Sequence, residues 1–566
     1  MRSPIRFPAV ALTILVAVKA GAVAEAPLPS GRELEAAGAR IGTIRIHRLN
    51  IFDPTDPKED YRLYRLANRL HIMTREQAIR RELLFREGDP YRQDLINETE
   101  RNLRNLNIIR HVRIRPVAYH DGLVDLEVSS QDTWTLRPSV HISRAGGDTA
   151  TSFSFSELNL LGRVKVLQIN RRNEIDRSTT GLLYSDPRLF GSRLSLNAFY
   201  DDSSDGVSRG LALSRPFFAL GSRWSMNASA QHLEQTSRLF EDGDTVSEFR
   251  QFSESLNFSY AFSTGYRDDR VRRYGFGYGY LRNVFTQEPG DEGFCPDPRP
   301  DDCIPVPHSQ KFSGPFFALQ RLKSRFIKVT NYNKFDREED FNLGNELSLT
   351  TQLSLRSLGA DRSEAIVSLA DAFGVSLSES ANLFFSLSLT GRAGAGEVSN
   401  VISSEAAESY RRISNVTFSE AAESYWRMTS HQTLYTRLAF DAGIHLDGEN
   451  QLLLGGETGL RGYPTRQFAG DRRLLFTLEH RYFGDWEILR LFRIGFASFA
   501  DVGDAWYGSD GEKLSDLHPD FGFGLRFAVI RSSVASVSRL DLAYSVDAGQ
   551  TDSPRLQILF GTALKF

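Results

Sequence analysis

From Trp134 to Phe566 apolar and polar residues alternate in segments of about ten, separated by turn residues, which predicts a succession of half-buried β-strands. The segment Thr433–Leu446 shows the pattern. Leu434, Leu438, Phe440, Ala442 and Ile444 share one face, and Tyr435, Arg437, Asp441 and His445 share the other. Such alternation fits two architectures, a soluble sandwich with the apolar face inward or a membrane barrel with that face toward lipid and the charges in its lumen. At the chain end Leu556, Ile558, Phe560, Thr562, Leu564 and Phe566 fall on one face, and the last residue is aromatic.

Residues 41–130 carry a different rhythm. Alternation over 41–52 predicts a strand, and residues 53–70 form an insert rich in Arg and Tyr. Thr74 stands three residues before Gln77, a capping-box spacing that predicts a helix through Ala78–Leu84, ended by Gly88-Asp-Pro90. Leu95, Ile96, Thr99, Leu103 and Leu106 lie on one face of a second helix over 92–106. Strands follow at 109–115 and 123–128, giving the order β-α-α-β-β.

The chain has 566 residues, enough for two or more domains, and its net charge of -3 gives no reason to expect nucleic acid as a partner. Arg2 and Arg6 precede an apolar run over 7–18, and Ala22-Val-Ala24 offers small residues at a cleavage site. Residues 1–24 are therefore read as a signal peptide and 25–40 as a short linker. Beyond it no stretch of about 18 uninterrupted apolar residues offers a transmembrane helix. Cys295 and Cys303 lie in a polar, Pro-rich loop, and export favours a local disulfide over a metal pair, since no further Cys or His pair completes a site.

Two sets of residues carry a family resemblance. Arg80-Arg-Glu-Leu-Leu-Phe-Arg-Glu-Gly-Asp-Pro-Tyr91, the following helix, and Asn107-Ile-Ile-Arg-His-Val-Arg-Ile114 resemble a POTRA domain, the periplasmic module of the BamA/TamA-type outer-membrane assembly superfamily. One such unit is present, whereas assembly proteins of the superfamily usually carry several. Leu460-Arg461-Gly462-Tyr463 resembles the superfamily's Arg-Gly-aromatic motif, which sits at the tip of a loop folded into the barrel lumen. Phe499-Ala-Asp501-Val-Gly503 resembles its Phe-x-Asp-x-Gly strand motif. An arginine inside a barrel needs a carboxylate, because an unpaired buried charge is costly. By strand parity Asp501 shares a face with Phe499 and Gly503 and is the expected partner of Arg461. Glu479 and Arg481, on the polar face of their strand, are candidates for the same network.

The resemblance implies a POTRA-like domain over 41–130 followed by a surface-antigen-type outer-membrane β-barrel over 131–566, of about 16 strands. Five strands are expected after residue 470, at 472–483, 494–506, 519–530, 538–547 and 555–566. Candidate runs upstream slightly exceed what 16 strands need, so some are read as loop hairpins. Phe560, Leu564 and Phe566 match the terminal-strand assembly signal of outer-membrane barrels.

The implied function is non-enzymatic and needs no cofactor: assembly, insertion or translocation of an unfolded client protein, bound by the POTRA-like domain and passed at a seam between strands near 134–142 and 555–566. Membrane lipid and periplasmic or lipoprotein accessory subunits are the other expected partners. A dedicated two-partner-type secretion pore is the alternative, and a passive porin or receptor a third. Gly206-Val-Ser-Arg-Gly210 fits a nucleophile-elbow pattern but leads into a strand rather than from strand to helix, so it is read as a turn. Tyr274-Gly-Phe-Gly-Tyr-Gly-Tyr280 suits close strand packing rather than phosphate binding. The tandem copies 404–410 and 419–425 are read as a duplication within a loop.

Overall fold

A computed structural model describes residues 28–566 apart from 146–147, 288–305, 336, 396–410, 490, 509–515, 532–536, 548–554 and 564–566. The expected signal peptide, Cys295 and Cys303, the first tandem copy, and Leu564 and Phe566 lie outside the described residues.

Residues 28–132 form an α/β domain. Its sheet has the order β1-β3-β2, with β1 (Arg40–Leu49) parallel to β3 (Leu123–Asp132) and β2 (Ile109–His120) antiparallel to it. Ile41, Ile44, Val124 and Leu126 of the sheet pack against Ile79, Ile96 and Leu103 of the helices. Full burial of each such side chain contributes about 1.5–3 kcal/mol. The segment expected to be a linker instead carries α1 (Gly31–Ala36), capped reciprocally by Ser30 and Glu33, and its Leu34 enters this core. The insert holds α2 (Arg62–Leu70). The expected capping box at Thr74 is not formed. Helix α3 (Glu76–Arg80) has Arg75 as its N-cap, and the Thr74 hydroxyl instead accepts a hydrogen bond from Asn159 Nδ2 at 2.9 Å. Helix α4 (Gln93–Asn105) buries Ile96, Thr99 and Leu103 as its periodicity requires.

The rest of the chain is an antiparallel barrel of twenty strands among the described residues, where about 16 were expected. The five strands after residue 470 are as expected: Arg472–Ile488, Phe492–Trp506, His518–Val529, Val537–Ser545 and Leu556–Ala563. The excess lies upstream, where short strands such as Asp148–Glu157 and Val166–Asn173 each take a place in the ring. The second tandem copy likewise belongs to a strand, Arg411–Arg427, because its alternate residues suit a two-faced wall. Gly277 permits close packing, since a Cβ there would stand 2.4 Å from the Phe316 ring.

Among the described residues the ends of the sheet meet through one registered pair, Phe560 of the last strand with Arg144 of the first. Outward positions all around the wall are large and apolar, among them Val140, Phe155, Leu182, Leu211, Phe258, Phe317, Leu389, Leu438, Phe496 and Phe523, all exposed. A continuous apolar belt on a sheet closed against its own edge is the arrangement that lipid tolerates. No helix among the described residues is long and apolar enough to cross a membrane.

The α/β domain sits against the end of the barrel where the first strand begins. Glu82 pairs with Arg188 and, at 3.4 Å, with Arg193. Glu98 Oε1 accepts the Leu220 N–H at 2.6 Å, and Arg104 binds Asp340 through two bonds of 2.9 and 3.0 Å. Arg188, Arg193 and Leu220 lie in turns at that one end, and Asp340 in a short strand of the segment between Gln310–Lys323 and Asn345–Ser354.

Candidate functional site

The connection between strands Gln432–Ile444 and Arg472–Ile488 leaves the opposite end and folds back into the lumen. Its tip is Leu460-Arg461-Gly462-Tyr463, with Leu460 and Tyr463 buried against Leu454, Leu475 and Ala505. The backbone there is forced. Leu460 has φ +50°, and a Cβ on Gly462 would lie 2.7 Å from Cβ of Asp520. Glycine is therefore the residue the close approach requires.

Arg461 is buried and fully engaged. Its Nε and Nη2 donate to the two carboxylate oxygens of Asp501 at 2.7 and 3.1 Å, a bidentate pair. Its Nη1 donates to Glu479 Oε2 at 2.8 Å and lies 3.9 Å from Asp541. The guanidinium also covers the Phe499 ring at 3.4 Å. The Gly462 N–H donates to Asp520 Oδ2 at 2.8 Å, and the Tyr463 hydroxyl donates to Pro519 O at 3.1 Å and bonds Asp547. The tip thus engages four consecutive strands, Arg472–Ile488, Phe492–Trp506, His518–Val529 and Val537–Ser545. It acts as a brace across them. Gly503 lies under the same loop, where a Cβ would meet Leu474 O at 2.4 Å and Leu454 Cδ2 at 3.2 Å.

Glu479 is shared further. Its other oxygen accepts from Arg481 Nε at 2.8 Å, and Arg526, itself paired with Asp541, lies 3.7 Å from it. Arg481 Nη1 donates to Tyr332 O at 2.8 Å and Asn333 Oδ1 at 3.2 Å. Tyr332 belongs to a second luminal insertion, the segment between strands Gln310–Lys323 and Asn345–Ser354, which enters from the domain end. It carries a small hairpin, Phe326–Val329 with Glu339–Asn342. Tyr332 stacks on Tyr425 at 4.7 Å, and Phe335 packs edge-on against Phe483 at 5.0 Å. The hairpin reaches back to the α/β domain through Asp340 with Arg104, and through Lys328 with Glu100 at 3.2 Å. A chain of contacts therefore runs from the α/β domain, through the hairpin, Arg481 and Glu479, to the Arg461 loop.

The structure brings together Arg461, Asp501, Phe499, Glu479 and Arg481. It adds Asp520, Arg526, Asp541 and the hairpin, which sequence reasoning missed. The first three were detectable as charged residues at inward positions between outward Phe521, Phe523 and Leu540. Phe560 lies apart from this network, on the outer face at the seam. Leu559 of the same strand points inward and packs with Phe499 and Ala543.

No family model and no curated protein matches the chain. Among solved structures, it is similar to BamA from Haemophilus ducreyi lacking POTRA domains 1-3, at 11% identity and TM-score 0.37, covering 92% of this chain and 84% of that one. It is similar to CdiB from Escherichia coli at 11% identity and TM-score 0.45, covering 94% and 77%. It is also similar to the FrpB iron transporter from Neisseria meningitidis at 9% identity and TM-score 0.39, covering 81% and 88%. At these values the likenesses carry no argument, and the geometry has to carry the functional reading.

Proposed function

We propose that this chain is an outer-membrane barrel that inserts or translocates unfolded client polypeptides at its seam, with the α/β domain as a POTRA-like periplasmic receptor. The observation that carries the reading is the seam itself: a wall braced over four strands by one buried loop ends, one strand later, in a junction where the described residues register one pair. A client strand needs unpaired N–H and C=O groups, and the seam is where the barrel yields them at least cost. β2, an outer strand of the domain sheet, supplies a main-chain edge for a client before it reaches the barrel. The two luminal insertions, linked through Glu479 and Arg481, weigh against an open passive pore. The activity is non-enzymatic, and accessory subunits would meet the domain.

The test is a reversible tether. Arg144→Cys with Phe560→Cys, in a Cys295→Ser, Cys303→Ser background, places a disulfide across the seam. In cells depleted of the native protein, the oxidised form is expected to halt client assembly as read by outer-membrane proteomics, and reductant to restore it. Full activity with the seam locked would overturn the lateral reading and favour a dedicated pore working through the lumen.

A further inference from the structure

The insert of residues 53–70 is not absorbed by that function. Its helix α2, Arg62-Leu-Tyr-Arg-Leu-Ala-Asn-Arg-Leu70, presents three distinct sides. At 3.6 residues per turn, Leu63, Leu66 and Leu70 fall within about 60° of one another. Arg62, Arg65 and Arg69 fill a similar arc about 100° further round the helix. Tyr64 and Asn68 occupy a third side, which faces the protein.

That third side is firmly docked. The Tyr64 ring stacks on Phe52 at 4.2 Å, its hydroxyl donates to Leu489 O at 2.7 Å, and Asn68 exchanges two hydrogen bonds with the Phe52 backbone, at 2.8 and 3.1 Å. Arg531, from the far end of strand His518–Val529, pairs with Glu59. The helix is thus fixed at the rim of the barrel, beside the turn that joins strands Arg472–Ile488 and Phe492–Trp506. The leucine side has no such cover: Leu63, Leu66 and Leu70 are 55%, 49% and 64% exposed, and the flanking Tyr61 and Ile72 are 58% and 54% exposed. The rim beside it is equally bare. Trp486, Ile488 and Leu489 are 63%, 50% and 62% exposed, and they continue the outer belt through Leu478 and Phe476 of the same strand.

An exposed leucine stripe is costly in water, yet here it lies on a helix docked at the apolar rim of a barrel and is flanked by an arc of arginines. We infer that α2 is an interfacial anchor that lies in the periplasmic leaflet of the outer membrane at the barrel rim, its leucines among acyl chains and its arginines at anionic phospholipid headgroups. The inference rests on the membrane-barrel reading above. Three observations favour lipid over a protein occupant. The helix that carries the stripe is docked at the rim through Tyr64 on Leu489, an exposed tryptophan, Trp486, stands on that rim where interfacial aromatics belong, and the arginine arc complements phosphate. The anchor holds the α/β domain beside the seam, since the Phe52–Tyr64 cluster also packs Trp134, immediately before the first strand, and Leu491.

The experiment uses full-length protein, with Cys295 and Cys303 replaced by Ser, in bilayer nanodiscs of phosphatidylethanolamine and phosphatidylglycerol containing doxyl-labelled lipid. An environment-sensitive fluorophore is placed singly at Leu66→Cys, at Arg65→Cys and, as a belt control, at Phe258→Cys. Each variant is checked for folding by heat-modifiability on gels. The Leu66 label is expected to be quenched by the lipid at a depth of about 5–10 Å below the headgroup boundary, and the Arg65 label to stay in water. Quenching at Phe258 but not at Leu66 would overturn the anchor. In that case a Leu66 label still shielded from iodide would assign the stripe to a second copy or a client, and one open to iodide would leave it in water. Absence of quenching at Phe258 as well would mean that the membrane-barrel reading itself has failed.

Discussion

Two junctions in the same wall differ sharply. Strands Trp224–Glu241 and Asp244–Ser263 pair along their whole length, from Trp224↔Phe262 to Glu241↔Asp244, whereas the described residues of the first and last strands share the one pair Arg144↔Phe560. Inside lipid every unpaired backbone group costs free energy, so a barrel built only for stability would close like the first junction throughout. The C-terminal wall beside the weak junction is also the part that carries the Arg461 brace. Under the proposed function, weakness at the seam and rigidity next to it belong together, because a neighbouring wall that sagged when the seam opened would lose the barrel's shape. The Arg461 tip contacts the four strands up to Val537–Ser545, and the last strand, Leu556–Ala563, joins them by ladder pairing and by Leu559 packing on Phe499.

Removing the brace should erase the contrast and gives the largest effect. Arg461→Ala leaves Asp501 and Glu479 buried without their shared cation, at a cost of about 3–5 kcal/mol, read as a lowered temperature for loss of heat-modifiable mobility. Asp501→Ala added to it is expected to cost less than the sum of the two singles. Arg461→Lys is expected to rescue only in part, since lysine cannot make the bidentate contact. Strict additivity would remove the case for the pair.

Cutting the link from domain to hairpin is next. Arg104 and Asp340 are both largely buried, and Arg104→Ala is expected to weaken docking of the α/β domain by about 1.5–3 kcal/mol, seen as faster proteolysis of that domain with the barrel intact. Unchanged protection would show that the hairpin does not couple the two. Gly462→Ala tests the brace by crowding rather than by charge. A Cβ 2.7 Å from Asp520 should cost about 1–3 kcal/mol, and an unaltered melting profile would mean that the tip has room to shift.

The smallest effect is in pH. Burial pushes the Glu98 carboxyl above its ordinary range, although the Leu220 N–H and Arg101 work against this. A carboxyl raised in the docked state contributes stability below its free value, and that contribution is lost as pH rises through the raised value. Domain docking should therefore loosen slightly as pH rises above the ordinary glutamate value of about 4, and Glu98→Gln should flatten the dependence. A dependence of the opposite sign, or one that survives the substitution, would assign it elsewhere.

Much of this was legible in the chain, for identifiable reasons. Strand parity placed Asp501 on the inner face because a period of two leaves no freedom once Phe496 faces out. The five C-terminal strands were separable because turns of Gly, Ser and Asp punctuate them. The upstream count failed because strands of eight to ten residues rich in Ser and Thr, such as Asp148–Glu157, carry too weak an alternation to be told from loop hairpins. The Thr74 cap failed because a long-range partner, Asn159, competes for the same hydroxyl. The hairpin around Tyr332 was invisible because its packing partners, Tyr425 and Phe483, are far along the chain and leave no local period.

The most direct test of a weak seam beside a braced wall is amide hydrogen exchange on the protein reconstituted in bilayers. Strands Leu136–Ala145 and Leu556–Ala563 are expected to exchange fastest of all barrel strands, while Trp224–Glu241, Asp244–Ser263 and the braced Phe492–Trp506 remain protected. Uniform protection around the ring, or seam strands as slow as Trp224–Glu241, would contradict the account.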